Sequence, residues 1–518
     1  VRNLSRKPPV ELTFLAVFGV LLTTLPLVYL LLRSSQIGTE EIQTLVFSSR
    51  SIGLLINSGL LVLAVAVSAM FIGFLQAWLI IRSNLGFKTF FTFLAVLPFA
   101  IPSYVAALTW LTNFPDIRGF LPAWIILTLL TSPYVYLAVS ASLLSQSAKQ
   151  EEVARTLGFN ALQVLLKVTW PNVRGAVFAG GLVSALYTLS DFGAVSLVKY
   201  DTFTRAIYIA YRSSFDRNVA AVLSMVLVIV AIMLYLTYKF FTRTEAPSHS
   251  SLHISLTKLG SFKLPGSLFF IALAFLSFIL PIGSLLKWQI AGQSAAHIDQ
   301  LLRATLNTFS YALIGGITIA VFSFAAAIVI ARFHSRLFQT LGRLLWITHS
   351  LPGLVVALSL IYLSNRYFTV SYQTSFLVIV AYVILFLPNS FAVLKNPIQK
   401  SSRALEEVAQ SMGYSYRSIV TRLLIPLFSK PLVITATLAI LTIVKELPAT
   451  LLLRPTGIET LSTRLWSAAS ATEYAEASTY ALIILLLAGL PTVLLTLVQL
   501  PRSSTTLTSS KAIKEFQQ

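Results

Sequence analysis

Apolar runs about as long as a bilayer is thick recur along this chain, and they limit its fold more than any other feature. A spanning helix needs about 20 mainly apolar residues. Twelve runs qualify, near 12–32, 54–81, 89–112, 121–144, 173–198, 219–241, 267–287, 307–331, 340–364, 374–394, 429–453 and 478–499. In hydrocarbon every backbone N–H and C=O must find its partner inside the segment, which selects helices. Hydrophobic residues make up 56% of the chain and charged residues only 11%, whereas soluble domains carry about 25% charge. The expected fold is an all-α membrane protein of about twelve transmembrane helices. Arg2, Arg6 and Lys7 precede the first run. That run is longer than a signal-peptide core of roughly 7–15 residues and lacks a small-x-small site after it, so it reads as an uncleaved first span.

Several function classes drop out on composition. The chain has no Cys, which removes disulfides, thiolate metal sites and Cys nucleophiles. Two of its five His, His249 and His253, stand four apart in the polar stretch 242–265, and no metal site is read from them. The net charge of +20 sits mostly in short loops between apolar runs. Such a distribution orients a chain in a membrane and does not build a nucleic-acid groove. The Lys and Arg bias places both termini in the cytoplasm, together with the stretch 242–265. That stretch holds Pro247, Pro265, two His and several Ser and Thr, and reads as a cytoplasmic linker.

The linker separates two copies of one pattern. Asn57 matches Asn307, Arg82 matches Arg332 and Pro102 matches Pro352, all 250 residues apart. Pro133 and Pro388 match at 255, as do Asp191-Phe-Gly-Ala and Glu446-Leu-Pro-Ala. Thr204-Arg205 and Thr463-Arg464 match at 259. The organisation is a first six-span half (1–241), the linker (242–265), a second six-span half (266–500) and a polar tail (501–518). An even number of spans gives both halves the same orientation, related by an axis along the membrane normal. Pro102 and Pro352 are expected to kink the matched third spans. His349 beside Pro352 is replaced by Phe99 in the first copy, and reads as an interior residue.

The most polar repeated element is a short sentence. Glu151-Glu-Val-Ala-Arg-Thr-Leu-Gly158 recurs as Glu406-Glu-Val-Ala-Gln-Ser-Met-Gly413, each followed by an amphipathic stretch that meets a proline, Pro171 or Pro426. The stretches 150–157 and 405–412 favour helix. Gly158 and Gly413 are suited to the left-handed conformation that stops a helix. Asn160 and Ser415 are suited to capping the next one, and the prolines to the first turn of the following span. A helix–elbow–helix along the cytoplasmic face is predicted. An interfacial helix resting on lipid would have a similar pattern.

With its fixed spacing of Glu-x-Ala, three residues, Gly, nine residues, an apolar residue, two more and Pro, the sentence resembles the Glu-Ala-Ala loop of permease subunits of binding-protein-dependent ABC importers. Val153 and Val408 replace the middle Ala. The resemblance implies the type I importer permease fold, with two tandem six-helix repeats. It implies that Glu152, Ala154 and Gly158, and again Glu407, Ala409 and Gly413, dock the loop on an ATP-binding subunit, the small alanines allowing close approach. Two equal loops suit two copies of that subunit. No Gly-x-x-x-x-Gly-Lys-Ser/Thr loop occurs, so ATP is expected on the partner, with no cofactor on this chain, no catalytic residue and no enzyme activity of its own. A separate extracytoplasmic solute-binding protein is expected to deliver cargo. The membrane implied is a prokaryotic inner membrane.

The segments around Ser190-Asp191-Phe-Gly-Ala and Lys445-Glu446-Leu-Pro-Ala, with Arg205, Arg454 and Arg464 after them, are similar to fused permeases for ferric iron. Fused permeases for thiamine, phosphonate or polyamine share the architecture. Asp191 and Glu446 sit in matched places near the outer end of the fifth span of each half. Ionisable residues at that depth are functional candidates, here for lining the pathway. The other reading is that they cap a helix broken at Gly193 or Pro448. Lys445 and Glu446 are adjacent and point in different directions on a helix. Two other classes fit the sequence less well. An ion-coupled secondary transporter has no use for the repeated sentence. A membrane enzyme needs a polar cluster that the sequence does not display.

Overall fold

The structure, a computed structural model, describes residues 8–145, 149–212, 216–241, 256–291, 297–333, 335–348, 351–489 and 491–493. The expected tail 501–518 lies outside them, as do residues 242–255 of the linker and His349. Among the described residues regular structure is helical, apart from one isolated bridge between Ser83 and Thr257. Nine helices are long and apolar enough to cross a bilayer, and three bent pairs bring the spans to twelve where each pair counts as one. Each of the twelve apolar runs overlaps one of these.

The differences lie in how four of the spans end or break. The third span of each half is not a kinked helix. Lys88–Ala100 and Ser103–Asn113 meet at 91°, and Arg336–Thr348 and Gly353–Tyr367 at 112°. Proline accounts for the sharpness in the first copy. A residue before proline is driven out of the helical region, and Ile101 (φ −97°, ψ 123°) is followed by Pro102, itself extended at ψ 148°. Two extended residues in succession turn the chain, where one proline inside a helix would only bend it. Pro352 is extended too, at ψ 143°.

The fifth span of each half stops early. Trp170–Ser190 ends before Asp191, and a short helix Gly193–Leu197 follows. Ser429–Val444 ends before Lys445, and Pro448–Leu453 follows. The second-half span is also bent by 74° from Tyr416–Leu427.

The longest helices, Ser49–Arg82 and Ile298–Arg332, have 34 and 35 residues. At 1.5 Å per residue each is roughly 50 Å long, well beyond the ~30 Å hydrocarbon core, so part of each projects from it. Ser49–Arg82 crosses Phe120–Ser145 and Trp170–Ser190 closely. A Cβ at Gly73 would lie 2.6 Å from Val135 Cβ, and one at Gly180 2.5 Å from Val135 Cα. Glycine at such crossings lets backbones approach, the main source of helix association in lipid.

The halves also exchange their first helices. Val10–Gln36 packs on Ile298–Arg332, Ser375–Lys400 and Gly353–Tyr367 of the second half, while Leu280–Ala291 packs on Ser103–Asn113 of the first. Residues consecutive in sequence are therefore divided between the two bodies of the bundle.

Matched hydrogen bonds confirm the duplication and correct one register. Asn57 donates to the Asp201 carbonyl (3.1 Å) and Asn307 to the Glu459 carbonyl (3.0 Å). Phe203 N–H donates to Ser58 and Leu461 N–H to Thr308. Thr204 donates to the Asp191 carbonyl and Ser462 to the Glu446 carbonyl. The true spacing here is 258, so Thr204 corresponds to Ser462 and not to Thr463. Arg464 is the outlier: it pairs with Glu459 across five residues, whereas Arg205 pairs with Asp201 across four.

Candidate functional site

The repeated sentence folds as two matched elbows. Lys149–Thr156 ends at Gly158 (φ 86°) and Ala404–Ser411 ends at Gly413 (φ 87°). Both ends carry the paired bonds of a Schellman turn. Phe159 N–H reaches the Ala154 carbonyl (3.0 Å) and Gly158 N–H the Arg155 carbonyl (3.0 Å). Tyr414 N–H reaches the Ala409 carbonyl (3.1 Å) and Gly413 N–H the Gln410 carbonyl (3.0 Å). Asn160 caps Ala161–Val164 through a capping box with Gln163, and Ser415 caps Tyr416–Ile419. A π-helical turn follows in each copy, Leu165–Thr169 and Val420–Leu424, at the spacing of 255. Pro171 and Pro426 then occupy first turns. In the first half the elbow helix runs straight into its span, as Ala161–Ser190, whereas the second bends.

What holds each elbow to the bundle was missed by the sequence reading. Glu151 and Glu406, the residues before the expected Glu152 and Glu407, turn inward. Each meets the arginine ending a long helix. Arg332 lies 2.9 Å from Glu406 and also donates to the Ser401 carbonyl (3.2 Å) and hydroxyl (2.6 Å). Arg82 Nε lies 3.4 Å from Glu151, which Thr169 also supplies with a hydrogen bond (2.9 Å). The four side chains belong to residues only 1–6% exposed. Burial pushes the Glu406 carboxyl up from its ordinary range, with Arg332 pulling it back. The signal was the Arg82–Arg332 match, but 69 and 74 residues separate these arginines from their glutamates, so no periodicity joins them.

The outward faces are apolar. Val153 and Leu157 are 58% and 72% exposed, and the matched Val408 and Met412 are 55% and 69% exposed. Spaced four residues apart, each pair makes one ridge on its short helix. Glu407 is exposed and Glu152 partly so. Among the described residues neither makes an ion pair. Ala154 is buried and Ala409 partly buried. The small side chain at 154 lies on the inward face of the elbow and packs within this chain.

A second matched pair converges between the halves. A cavity of about 300 Å³ is lined by Pro98, Phe99 and residues 101–104 at the first broken span, by Tyr134, Tyr187 and residues 190–193, and by Gly353, Leu385, Phe386, Thr442 and residues 445–448. Asp191 and Glu446 both lie on it and are both buried. Their carboxylates are engaged with backbone. Asp191 accepts from Ala194 N–H (2.9 Å) and Val195 N–H (3.3 Å). Glu446 accepts from Ala449 N–H (2.8 Å), Thr450 N–H (2.9 Å) and the Thr450 hydroxyl. They cap the short helices after the breaks, as the helix-cap reading expects, and the same residues line the cavity between the halves.

Lys445, which the sequence reading left inside a span, reaches across the halves to donate to the Phe99 carbonyl (3.1 Å). The buried Tyr104 hydroxyl, also on the cavity, has no hydrogen-bond partner among the described residues. The breaks fit each other through glycine on opposite sides. A Cβ on Gly193 would lie 2.7 Å from Tyr104 Cβ. One on Gly353, which corresponds to Ser103, would lie 3.3 Å from Glu446 Oε1 and from Pro448. Phe192 packs against Trp466 of the other half, the ring centres 5.0 Å apart and the rings tilted by 40°. Among the described residues no group of three or more His, Asp or Glu is arranged to hold a metal.

These two features, paired elbows at one end and a cavity between the halves, coincide with likeness to known proteins. The profile of the family described as "Binding-protein-dependent transport system inner membrane component" matches residues 69–244 and again 321–500. The chain is 34% identical over 500 residues to an Fe(3+)-transport system permease protein, FbpB 2, of Haemophilus influenzae, covering 95% of this chain and 99% of that protein. It is 32% identical over 152 residues to the sulfate transport system permease protein CysW of Escherichia coli, covering 26% and 52%. It is 23% identical over 193 residues to the putrescine transport system permease protein PotI of Escherichia coli, covering 35% and 69%.

Proposed function

The chain belongs to the family of binding-protein-dependent transport system inner membrane components, with the family domain present twice, and from that premise we propose that it forms the whole membrane path of an ATP-driven importer for ferric iron. As a permease of this family it works with a solute-binding protein and an ATP-binding subunit, and is itself a transporter and not an enzyme. The cargo rests on one observation: the likeness to an Fe(3+)-transport permease runs over nearly the full length of both chains, whereas the likeness to sulfate and putrescine permeases covers between 26% and 42% of this chain.

In this reading the elbows are the levers. Two copies of the ATP-binding subunit present equal grooves, and the Val153–Leu157 and Val408–Met412 ridges enter them. Glu152, Gly158, Glu407 and Gly413 belong to the same docking surface, with Ala154 and Ala409 on its supporting side. Motion of a ridge passes through Glu151–Arg82 or Glu406–Arg332 into a roughly 50 Å helix that crosses the membrane. Both termini and both elbows then face the cytoplasm, and the solute-binding protein docks at the opposite end.

The cavity is the constricted part of the path. Ferric ion prefers hard oxygen ligands such as carboxylates and phenols. Here the carboxylates are occupied by backbone N–H groups and Lys445 stands beside them, so the ion is held weakly. Weak holding suits a conduit, since a site that binds too well does not release. Asp191 and Glu446 act by fixing the broken helices that shape the path.

The test is uptake of radiolabelled ferric iron by a strain lacking the chromosomal copy and complemented with this chain, with thiamine, phosphonate and polyamine uptake measured in parallel. Restored iron uptake alone supports the reading, and restoration of another solute without iron replaces the cargo. Partner docking is tested separately. The chain has no Cys, so single cysteines at 157 and 412 give clean crosslinking. Both should capture the ATP-binding subunit, and labelling of lipid alone would reduce the elbows to interfacial helices.

A further inference from the structure

At the end of the bundle away from the elbows, three arginines converge with no carboxylate to answer them. The Arg82 end of Ser49–Arg82 meets an elbow, so its Ser49 end lies on the other side, and Val10–Gln36 arrives there through Thr39–Val46. Near this end a cavity of about 190 Å³ opens between the halves. Arg33 comes from Val10–Gln36, Arg217 from the start of Arg217–Phe241 and Arg366 from the last turn of Gly353–Tyr367. Tyr29, Tyr211, Tyr362 and Asn365 complete the polar part of the wall, and among the described residues no Asp or Glu lines it.

Arg33 is fixed in place. It donates to Asn218 Oδ1 (2.5 Å) and Gln36 Oε1 (3.1 Å), and lies 5.7 Å from the centre of the Tyr362 ring. Tyr362 donates to the same Gln36 oxygen (3.0 Å). The nearby acids are engaged elsewhere: Asp216 caps its own helix at Val219 N–H, and Glu41 accepts from Asn218. Among the described residues none of the three arginines is in an ion pair.

Like charges gathered in a small cavity repel, and guanidinium forks match the oxygens of phosphate and carboxylate. Phenol hydroxyls on the wall supply further donors. We propose that this cavity binds a phosphate-class oxyanion, either free in solution or as the headgroup of an anionic phospholipid, and that the bound anion ties the two halves together at this end. The inference does not depend on the cargo, since it rests on the three arginines and their placement on both halves.

The experiment uses the full chain in complex with its ATP-binding subunit, as wild type, as R217Q/R366Q and as R217K/R366K. In nanodiscs of pure phosphatidylcholine, inorganic phosphate is titrated calorimetrically. In nanodiscs containing phosphatidylglycerol, native mass spectrometry reads lipid retained on the released complex. The free-anion source predicts phosphate binding that falls at least about tenfold in R217Q/R366Q, with partial retention in R217K/R366K. The headgroup source predicts retained phosphatidylglycerol in the wild type that R217Q/R366Q loses. An unchanged melting transition in phosphatidylcholine shows that the variants fold. If wild type and R217Q/R366Q do not differ in either phosphate binding or lipid retention, the site does not exist.

Discussion

Replacing Arg332 with Met tests whether a buried ion pair holds the second elbow to the bundle. The Arg332–Glu406 pair is 4% and 8% exposed at its side chains and closes at 2.9 Å. Removing one partner of such a pair leaves an uncompensated buried charge, at a cost of about 3–5 kcal/mol. Two features of the site favour the lower end of that range. The Tyr416 hydroxyl stands 3.5 Å from Glu406, and Arg403 acts on the same carboxylate. About 3 kcal/mol corresponds to roughly a 150-fold rise in local opening, which hydrogen exchange of residues 404–411 reads directly. In the first half Glu151 keeps Thr169 at 2.9 Å and has Arg155 at 4.0 Å, and the Arg82 contact is longer. R82M should therefore loosen residues 149–156 by only about 1–2 kcal/mol. The double variant R332M/E406L removes both charges and should be tighter than R332M alone. The reasoning is refuted if R332M changes exchange in 404–411 by less than about threefold, or if the R332M and E406L effects simply add.

Three further outcomes follow from the same geometry. Burial holds the Glu406 carboxyl above its ordinary range, so its charged form weakens the elbow and proton uptake strengthens it. Protection of 404–411 should rise as pH falls through the folded pKa, more steeply in R332M where the opposing guanidinium is gone, and a flat profile after correction for intrinsic exchange would count against it. Gly158→Ala and Gly413→Ala meet no atom within 4 Å, so each should cost only the left-handed backbone, about 1–2 kcal/mol. Insertion and yield should persist while uptake falls, and full uptake in the double variant would remove the elbows from the mechanism. Lys445→Gln breaks the cross-half bond to Phe99, and should raise ATP hydrolysis without cargo while lowering uptake, measured on the reconstituted complex. Unchanged values for both would make Lys445 a packing residue.

The sequence carried the spans and the elbows because both are local. An apolar run of spanning length has one low-energy solution in lipid, and the elbow is written in consecutive residues: a helix former, Gly158 at φ 86°, then Asn160 as cap. What it did not carry is relational. Pro102 was readable as a helix disturbance, but the 91° turn needed Ile101 and Pro102 to be extended together. Glu151 and Glu152 are adjacent and alike, and only the arrival of Arg82 decides which of them turns inward.

The same limit explains why capping and a place on the cavity looked like alternatives for Asp191 and Glu446, when one position gives both. An acid buried between two halves must find donors, and a helix that restarts at Gly193 or Pro448 offers N–H groups that need acceptors. Each deficiency supplies what the other lacks, at the same depth in both halves. The break can therefore sit inside the bundle, with an irregular backbone, a cross-half lysine and a tyrosine hydroxyl that has no hydrogen-bond partner among the described residues around one cavity. Capping makes the acids poor ligands and good architects. The carboxylates thereby fix the shape of the cavity while their oxygens stay occupied by backbone N–H groups.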